Sequence, residues 1–316
     1  MRKILFLLVL LLSISNLVEA GGIPAFKFTS NQEGSTIGFE NLPESVKLYY
    51  STDGGGSWVT ATSSTSITLN KDESVQFYGD NPNGLYDESL ANIPPAYPGA
   101  PLPPQPETQF KITGDVSVSG NIAYLMSQSG SVMDLHEKNY YKLFEKCDIT
   151  DASGLILPSN VLAESCYAFM FYNCKKLIKA PELPATQLAN SCYYFMFGGC
   201  NALTQAPELR ATTLAPSCYQ DMFSNSGLIS APELPATVMK DYCYYAMFSG
   251  CESLTTAPEL PATQLAYSCY YYMFSSCKAL TQAPELPATQ LADRCYFDMF
   301  GYCESLTHAP FLPATT

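Results

Sequence analysis

The phrase Cys-Tyr-x-x-Met-Phe begins at Cys166, Cys192, Cys218, Cys243, Cys269 and Cys295, at spacings of 26, 26, 25, 26 and 26 residues. A unit this short cannot bury its own apolar side, so such a chain has to stack its units and gain stability from each neighbour. A degenerate copy, Asn139-Tyr140-Tyr141-Lys142-Leu143-Phe144-Glu145-Lys146-Cys147, precedes the six. Solenoid ends need atypical units, so this copy is expected to be the N-terminal capping turn.

Within one unit Leu188, Cys192, Met196 and Cys200 fall at i, i+4, i+8 and i+12, with Tyr193 and Phe197 on the adjoining row. That spacing predicts a short helical turn with one apolar arc facing the core. The positions that vary between copies are predicted to face outward: Ala168 and Phe169, Tyr194 and Phe195, Gln220 and Asp221, Tyr245 and Ala246. The stretch from Leu203 to Leu209 reads as a short strand. Pro181, Pro207, Pro232, Pro258, Pro284 and Pro310 cannot donate to a ladder and should end the pairing after two or three residues. The fold expected is therefore an α+β solenoid, a leucine-rich-repeat stack of short parallel strands and short helical turns. A small antiparallel β region should come before it.

Five segments follow: a signal peptide at 1–20, an N-terminal β region at 21–92, a proline-rich loop or linker at 93–108, a β segment and cap at 109–138, and seven repeat units at 139–316, the last incomplete. The leader reading rests on Met1-Arg2-Lys3, the apolar run Ile4 to Leu12 and the ending Val18-Glu19-Ala20. That run is shorter than the roughly 20 residues of a membrane helix. No cysteine precedes Cys147, so a lipoprotein anchor is not expected and the mature chain should be secreted or displayed at the cell surface. Val46–Tyr50, Ser66–Leu69, Val75–Tyr78 and Phe110–Val118 alternate in polarity as strands do.

Losing Arg2, Lys3 and Glu19 removes a net +1 and moves the formal charge from −13 to −14, which argues against nucleic acid and anionic membranes as partners. With 22 Tyr and 17 Phe against 14% charged residues, the chain can bury a core and need not be disordered. The two histidines, His136 and His308, are a thin supply of general bases, and no nucleophile motif stands beside either. No catalytic residue, cofactor or metal ligand set is expected.

Cys192, Met196-Phe197, Cys200 and Leu203, at offsets 0, 4, 5, 8 and 11, resemble the Ile-x-x-x-Ala-Phe-x-x-Cys-x-x-Leu pattern of BspA-like leucine-rich repeats, over about 139–316. The resemblance implies a bacterial surface or secreted protein, with adhesion to host or microbial macromolecules as one role of such proteins. It carries no enzyme activity with it. The ligand would be a protein or a glycan.

Three sets of residues are the candidates for function. The first is the column Lys179, Gln205, Ser230, Thr256, Gln282 and His308, whose mixed side chains in a regular frame suit a recognition surface. The second is the acidic row Glu182, Glu208, Glu233, Glu259 and Glu285, either a ridge for a cationic ligand or a mutually screened solvated row. The third is Ser51, Asp53, Gly55 and Trp58, which fit the Asp-box hairpin pattern. One copy is too few for a propeller, so this hairpin is expected to be structural, with a carbohydrate role for the β region as the alternative. The twelve cysteines coincide with the apolar arc and are expected to be buried free thiols, ahead of disulfides or a metal site.

Overall fold

The computed structural model describes residues 24–91, 105–130, 135–158 and 161–314. The leader and positions 93–104 of the proline-rich segment lie outside them. The N-terminal strands are β1 (Lys27–Ser30), β2 (Ser35–Asn41), β3 (Leu48–Ser51), β4 (Val59–Thr60), β5 (Ser66–Leu69) and β6 (Ser74–Gly79). After the proline-rich segment come β7 (Gln109–Thr113), β8 (Val116–Asn121) and β9 (Ile149–Ile156). They form a six-stranded sheet in the order β4-β3-β6-β1-β8-β9 and a three-stranded sheet in the order β5-β2-β7. The alternation legible in the sequence is the observed one: Val75, Phe77 and Gly79 of β6 are buried while their neighbours are half-exposed. The predicted strand 110–118 is divided in two at Gly114, whose φ of 108° is open to glycine at little cost. Because β7 and β8 pair with β2 and β1, the segments on either side of the proline-rich stretch build one unit.

The repeats do not form the expected α+β solenoid. Among the described residues there is no α-helix, and the two 3-10 turns, Glu88–Leu90 and Ile122–Leu125, lie outside the repeats. Each Cys-Tyr-x-x-Met-Phe segment is a run of overlapping turns. The N–H groups of Cys166, Ala168, Met170, Tyr172 and Cys174 donate three residues back, to Ala163, Ser165, Tyr167, Phe169 and Phe171, at 3.0–3.3 Å. The N–H groups between them, on Ser165, Tyr167, Phe169, Phe171 and Asn173, donate to the next coil, at Asn190, Cys192, Tyr194, Met196 and Gly198, over 2.8–3.0 Å. An α-helix would use every donor within itself, four residues back, and leave none for a neighbour. Here half the donors tie one coil to the next.

The geometry that permits this is a left-handed residue at every fourth position: Ser165, Phe169 and Asn173 in one coil, Ser191, Phe195 and Gly199 in the next, Ser217, Asp221 and Asn225 after that. Positive φ at the third position of a turn is what a type II turn requires. Two residues then point in and two point out, so Cys166-Tyr167, Met170-Phe171 and Cys174 are buried. The four-residue period explains why the apolar arc resembles a helix: doublets at i, i+4 and i+8 satisfy both geometries. Gly199 and Gly250 are needed for more than their φ, since a Cβ on either would collide with the side-chain oxygen of Asn173 or Asn225 in the preceding coil.

Stacking lines the interior with two ring columns. Tyr140, Tyr167, Tyr193, Tyr219, Tyr244, Tyr270 and Tyr296 follow one another at 5.5–5.9 Å with planes within 10° of parallel. Phe144, Phe171, Phe197, Phe223, Phe248, Phe274 and Phe300 form the second, at 5.3–5.9 Å. Outside the turns the coils touch through isolated parallel bridges, such as Gln205 to Ser230 to Thr256 and Val238 to Gln264 to Gln290. The first coil is closed by the sandwich: Phe110 N–H donates to Leu143, Lys142 pairs with Glu107 at 3.1 Å, and Phe144 contacts Phe26, Phe28 and Phe110 as well as Phe171. One apolar core therefore runs through the described molecule.

A left-handed, non-glycine residue costs about 1–3 kcal/mol, and a β-branched side chain tolerates it least. Ser217→Val should therefore lower the unfolding free energy by about 1–3 kcal/mol, while Ser217→Gly leaves it unchanged or slightly raised; urea denaturation of the two variants measures the difference.

Candidate functional site

The sequence-predicted column is aligned in part. Gln205, Ser230 and Thr256 occupy successive parallel bridges and are all exposed. Lys179 belongs to a separate bridge, to Asp151 of β9, and its ammonium is paired with that carboxylate at 2.9 Å. Gln282 shares a shallow hollow of about 550 Å³ with Thr256, Pro258, Glu259, Pro284 and Glu285. His308 lies past the last bridge, its ring nitrogen 2.9 Å from the Thr307 hydroxyl. Glu182, Glu208, Glu233, Glu259 and Glu285 are all exposed, and only Glu208 has an ion pair among the described residues, with Arg210 at 3.0 Å. Four unpaired carboxylates on one side of a stack make a negative strip beside a line of neutral hydrogen-bonding groups.

The Asp-box residues form a self-contained turn. Ser51 Oγ donates to Asp53 at 2.6 Å and accepts from the Gly55 N–H at 2.9 Å. Ser57 donates both its N–H, at 2.9 Å, and its hydroxyl, at 2.7 Å, to the same carboxylate. The Ser51 hydroxyl and then the Ser57 groups hold the Asp53 carboxyl well below the usual carboxylate range. Trp58 packs its edge on Tyr78 at 4.5 Å, and Tyr78 stacks on Tyr49 across the strand pair at 4.8 Å. The three hydrogen bonds to Asp53 all come from its own hairpin, while the three rings make a half-exposed aromatic patch beside it.

All twelve cysteines are free, and all but Cys303 are buried. In the second column each thiol donates to the carbonyl of a phenylalanine one coil back: Cys174 to Phe144 at 2.9 Å, Cys200 to Phe171 at 3.1 Å, Cys277 to Phe248 at 3.2 Å. Where the third full unit has Ser226, the serine hydroxyl meets Cys251 at 3.3 Å and keeps the column hydrogen-bonded. Burial pushes the Cys166 thiol up to about 12 and Cys251 up to about 11, so almost no thiolate exists at neutral pH. No group of three His, Cys, Asp or Glu side chains converges as a metal site would among the described residues.

Of the doublets expected to face outward, Ala168 and Ala246 are buried, Gln220 and Asp221 are half-buried, and the rest are half-buried rings to which the sequence assigns no site. In three dimensions they form two aromatic clusters. Tyr141, Phe169, Tyr172, Tyr194 and Phe195 make the first, with Phe169 and Phe195 stacked at 5.3 Å. Tyr245, Tyr271 and Phe297 make a nearly parallel pile at 5.0 and 4.8 Å in the second, with Tyr272 against its edge. Gln220 and Asp221 separate the clusters. Burial pushes the Asp221 carboxyl up to about 7 from its ordinary 3.8, and a hydrogen bond from Gln220 offsets only part of that. The available signal was the interruption itself, a polar doublet where the neighbouring coils carry rings.

No family model matches the chain, and neither a curated protein nor a solved structure matches it. The resemblance to BspA-like repeats thus stands on the spacing of the residues that suggested it. Among the described residues no helix is long and apolar enough to cross a membrane.

Two measurements check these assignments. Thiol titration of native protein should find almost no reactive groups, and denaturation without reductant should release about twelve. Asp221 is a carboxyl whose pKa is higher folded than unfolded, so the native state binds more protons between pH 4 and 7 and stability falls as pH rises through that window. Asp221→Asn removes the penalty: its melting temperature should match wild type near pH 4 and exceed it at pH 8, by the equivalent of about 1 kcal/mol or more.

Proposed function

We propose that this is an exported, non-enzymatic recognition protein that holds an extended macromolecule along its stacked coils. The observation that carries the reading is the exposed line of Gln205, Ser230 and Thr256 on successive bridges, with the glutamate strip alongside. The backbone ladder fixes the interval between these side chains, so a partner laid along the stack makes one modest contact per coil and gains affinity by summation. Four carboxylates without ion pairs among the described residues favour a partner that is basic, such as a cationic stretch of polypeptide at a host or microbial surface. The apolar start of the chain, with its basic Arg2-Lys3 and small-residue ending, supports export and a place in the medium or on the cell surface.

A second reading is favoured by the patch of Tyr49, Tyr78 and Trp58, which would suit a carbohydrate bound to the β-sandwich.

Substitution of Gln205, Thr256 and Gln282 together with Lys puts three positive charges beside the glutamate strip and leaves the buried columns untouched. In a pull-down from host-matrix or microbial surface extracts, this variant should lose the partners that wild type retains, and wild-type binding should weaken as salt rises. Retention by the triple variant with loss in Trp58→Ala would transfer the function to the sandwich.

A further inference from the structure

The outward column that runs Tyr194, Gln220, Tyr245, Tyr271, Phe297 is a pile of rings with one gap. Tyr271 covers one face of Tyr245 at 5.0 Å with planes 13° apart, so the opposite face of Tyr245 is turned along the stack toward the coil of Gln220 and Asp221. On the far side of that coil stands Tyr194, set edge-on against Phe195 at 4.8 Å and 84°. The neighbouring column loses its rings at the same coil. Phe169 and Phe195 stack, the inter-coil bonds then bring Asp221 and Ala246 into register, and Tyr272 follows. Ala246 is buried, so the notch between the rings is the place of Gln220 and Asp221, both half-buried, with Tyr194 and Phe195 one coil before and Tyr245 one coil after.

We propose that this notch binds the guanidinium of an arginine side chain presented by a peptide or protein partner. A planar cation fits between tyrosine rings, where the negative face of the ring attracts it, and its forked donors suit the Asp221 carboxylate. Asp221 has no Lys or Arg in ion-pair contact among the described residues. Its left-handed backbone, φ 54°, accounts for a short polar residue there, but asparagine would serve as well and would avoid the cost of a desolvated charge. Asp298 repeats the residue at the same place in the last coil, where it is exposed and needs no partner. The half-buried charge at Asp221 is an expense in the free protein, and a bound cation supplies what is missing. A sugar is the poorer fit, because piling at 5.0 and 4.8 Å covers both faces of Tyr271 and one face each of Tyr245 and Phe297, and the free face of Tyr245 lies toward a half-buried carboxylate that a neutral sugar would leave without a counter-charge. The site is on the turn side of the coils and does not depend on the glutamate strip.

The probe is a neutral glycine-serine peptide carrying a single arginine, compared with the same peptide carrying citrulline, which has the shape without the charge. Binding to the intact protein is followed by NMR chemical-shift changes. The arginine peptide should saturate a site and the citrulline peptide should not. Asp221→Asn, a variant expected to be at least as stable as wild type, and Tyr245→Leu should each weaken binding about tenfold. Glu259→Gln combined with Glu285→Gln should leave it within about twofold, which separates this site from the glutamate strip. Equal binding of the citrulline peptide, or unchanged affinity in Asp221→Asn, overturns the proposal. A neutral oligosaccharide that binds wild type and Asp221→Asn alike also overturns it and assigns the aromatic clusters to glycan.

Discussion

The alternation of backbone hydrogen bonds is the constraint on which the repeat region rests. Every second N–H in a turn segment closes a bond three residues back, and every other N–H reaches the carbonyl of the following coil. Neither half would suffice. Local turns alone would leave a row of unpaired groups along each coil, and the inter-coil bonds alone would not hold the chain in its tight path. Together they satisfy both sides of the segment while fixing the distance between coils. That distance is what brings like side chains into contact, tyrosine on tyrosine and phenylalanine on phenylalanine.

The same ladder explains the roles of the less conspicuous residues. Thiols of the second cysteine column donate to carbonyls that already accept a backbone bond, and so tie adjacent coils from inside at the cost of very little volume. The left-handed positions are occupied where possible by Ser, Asn and Gly, and the alternation of Asn173, Gly199, Asn225 and Gly250 follows from space: an asparagine side chain fills the place the next coil keeps open. At the N-terminal end the sandwich substitutes for a preceding coil, with β7 donating through Phe110 and with β9 both paired to β8 and bridged to the Lys179 coil. Phe144, which touches rings on both sides, joins the two cores.

A frame whose stability is held in its backbone and its buried columns can vary its outer positions at little cost. Two such surfaces follow, the hydrogen-bonding line with its glutamate strip and the aromatic turn side interrupted at Gln220 and Asp221. Their chemistry differs, the first being exposed and screened by solvent, the second partly desolvated and therefore sensitive to a single charge. The hairpin of Ser51, Asp53 and Ser57 is the opposite case, an exposed carboxylate that takes its hydrogen bonds from its own turn.

Legible in the sequence were the period, the inward face of each unit, the burial of the cysteines and the strands β3, β5 and β6, because each is a local pattern of apolar and polar residues; β1, β2, β4 and β9 were not read from it. Leu188 was placed in the apolar arc and is only half-buried, yet Cys192, Tyr193, Met196, Phe197 and Cys200 are buried as their spacing required. The conformation of the unit was decided only in three dimensions. Doublets four residues apart fit a helical arc and a train of turns equally well, and the choice between them depends on donors that find their acceptors 25 residues further along the chain, in the next coil. The pairing of strands across the proline-rich segment, and the gap at Asp221 between rings contributed by separate coils, are likewise non-local, since no stretch of sequence contains both sides of either contact.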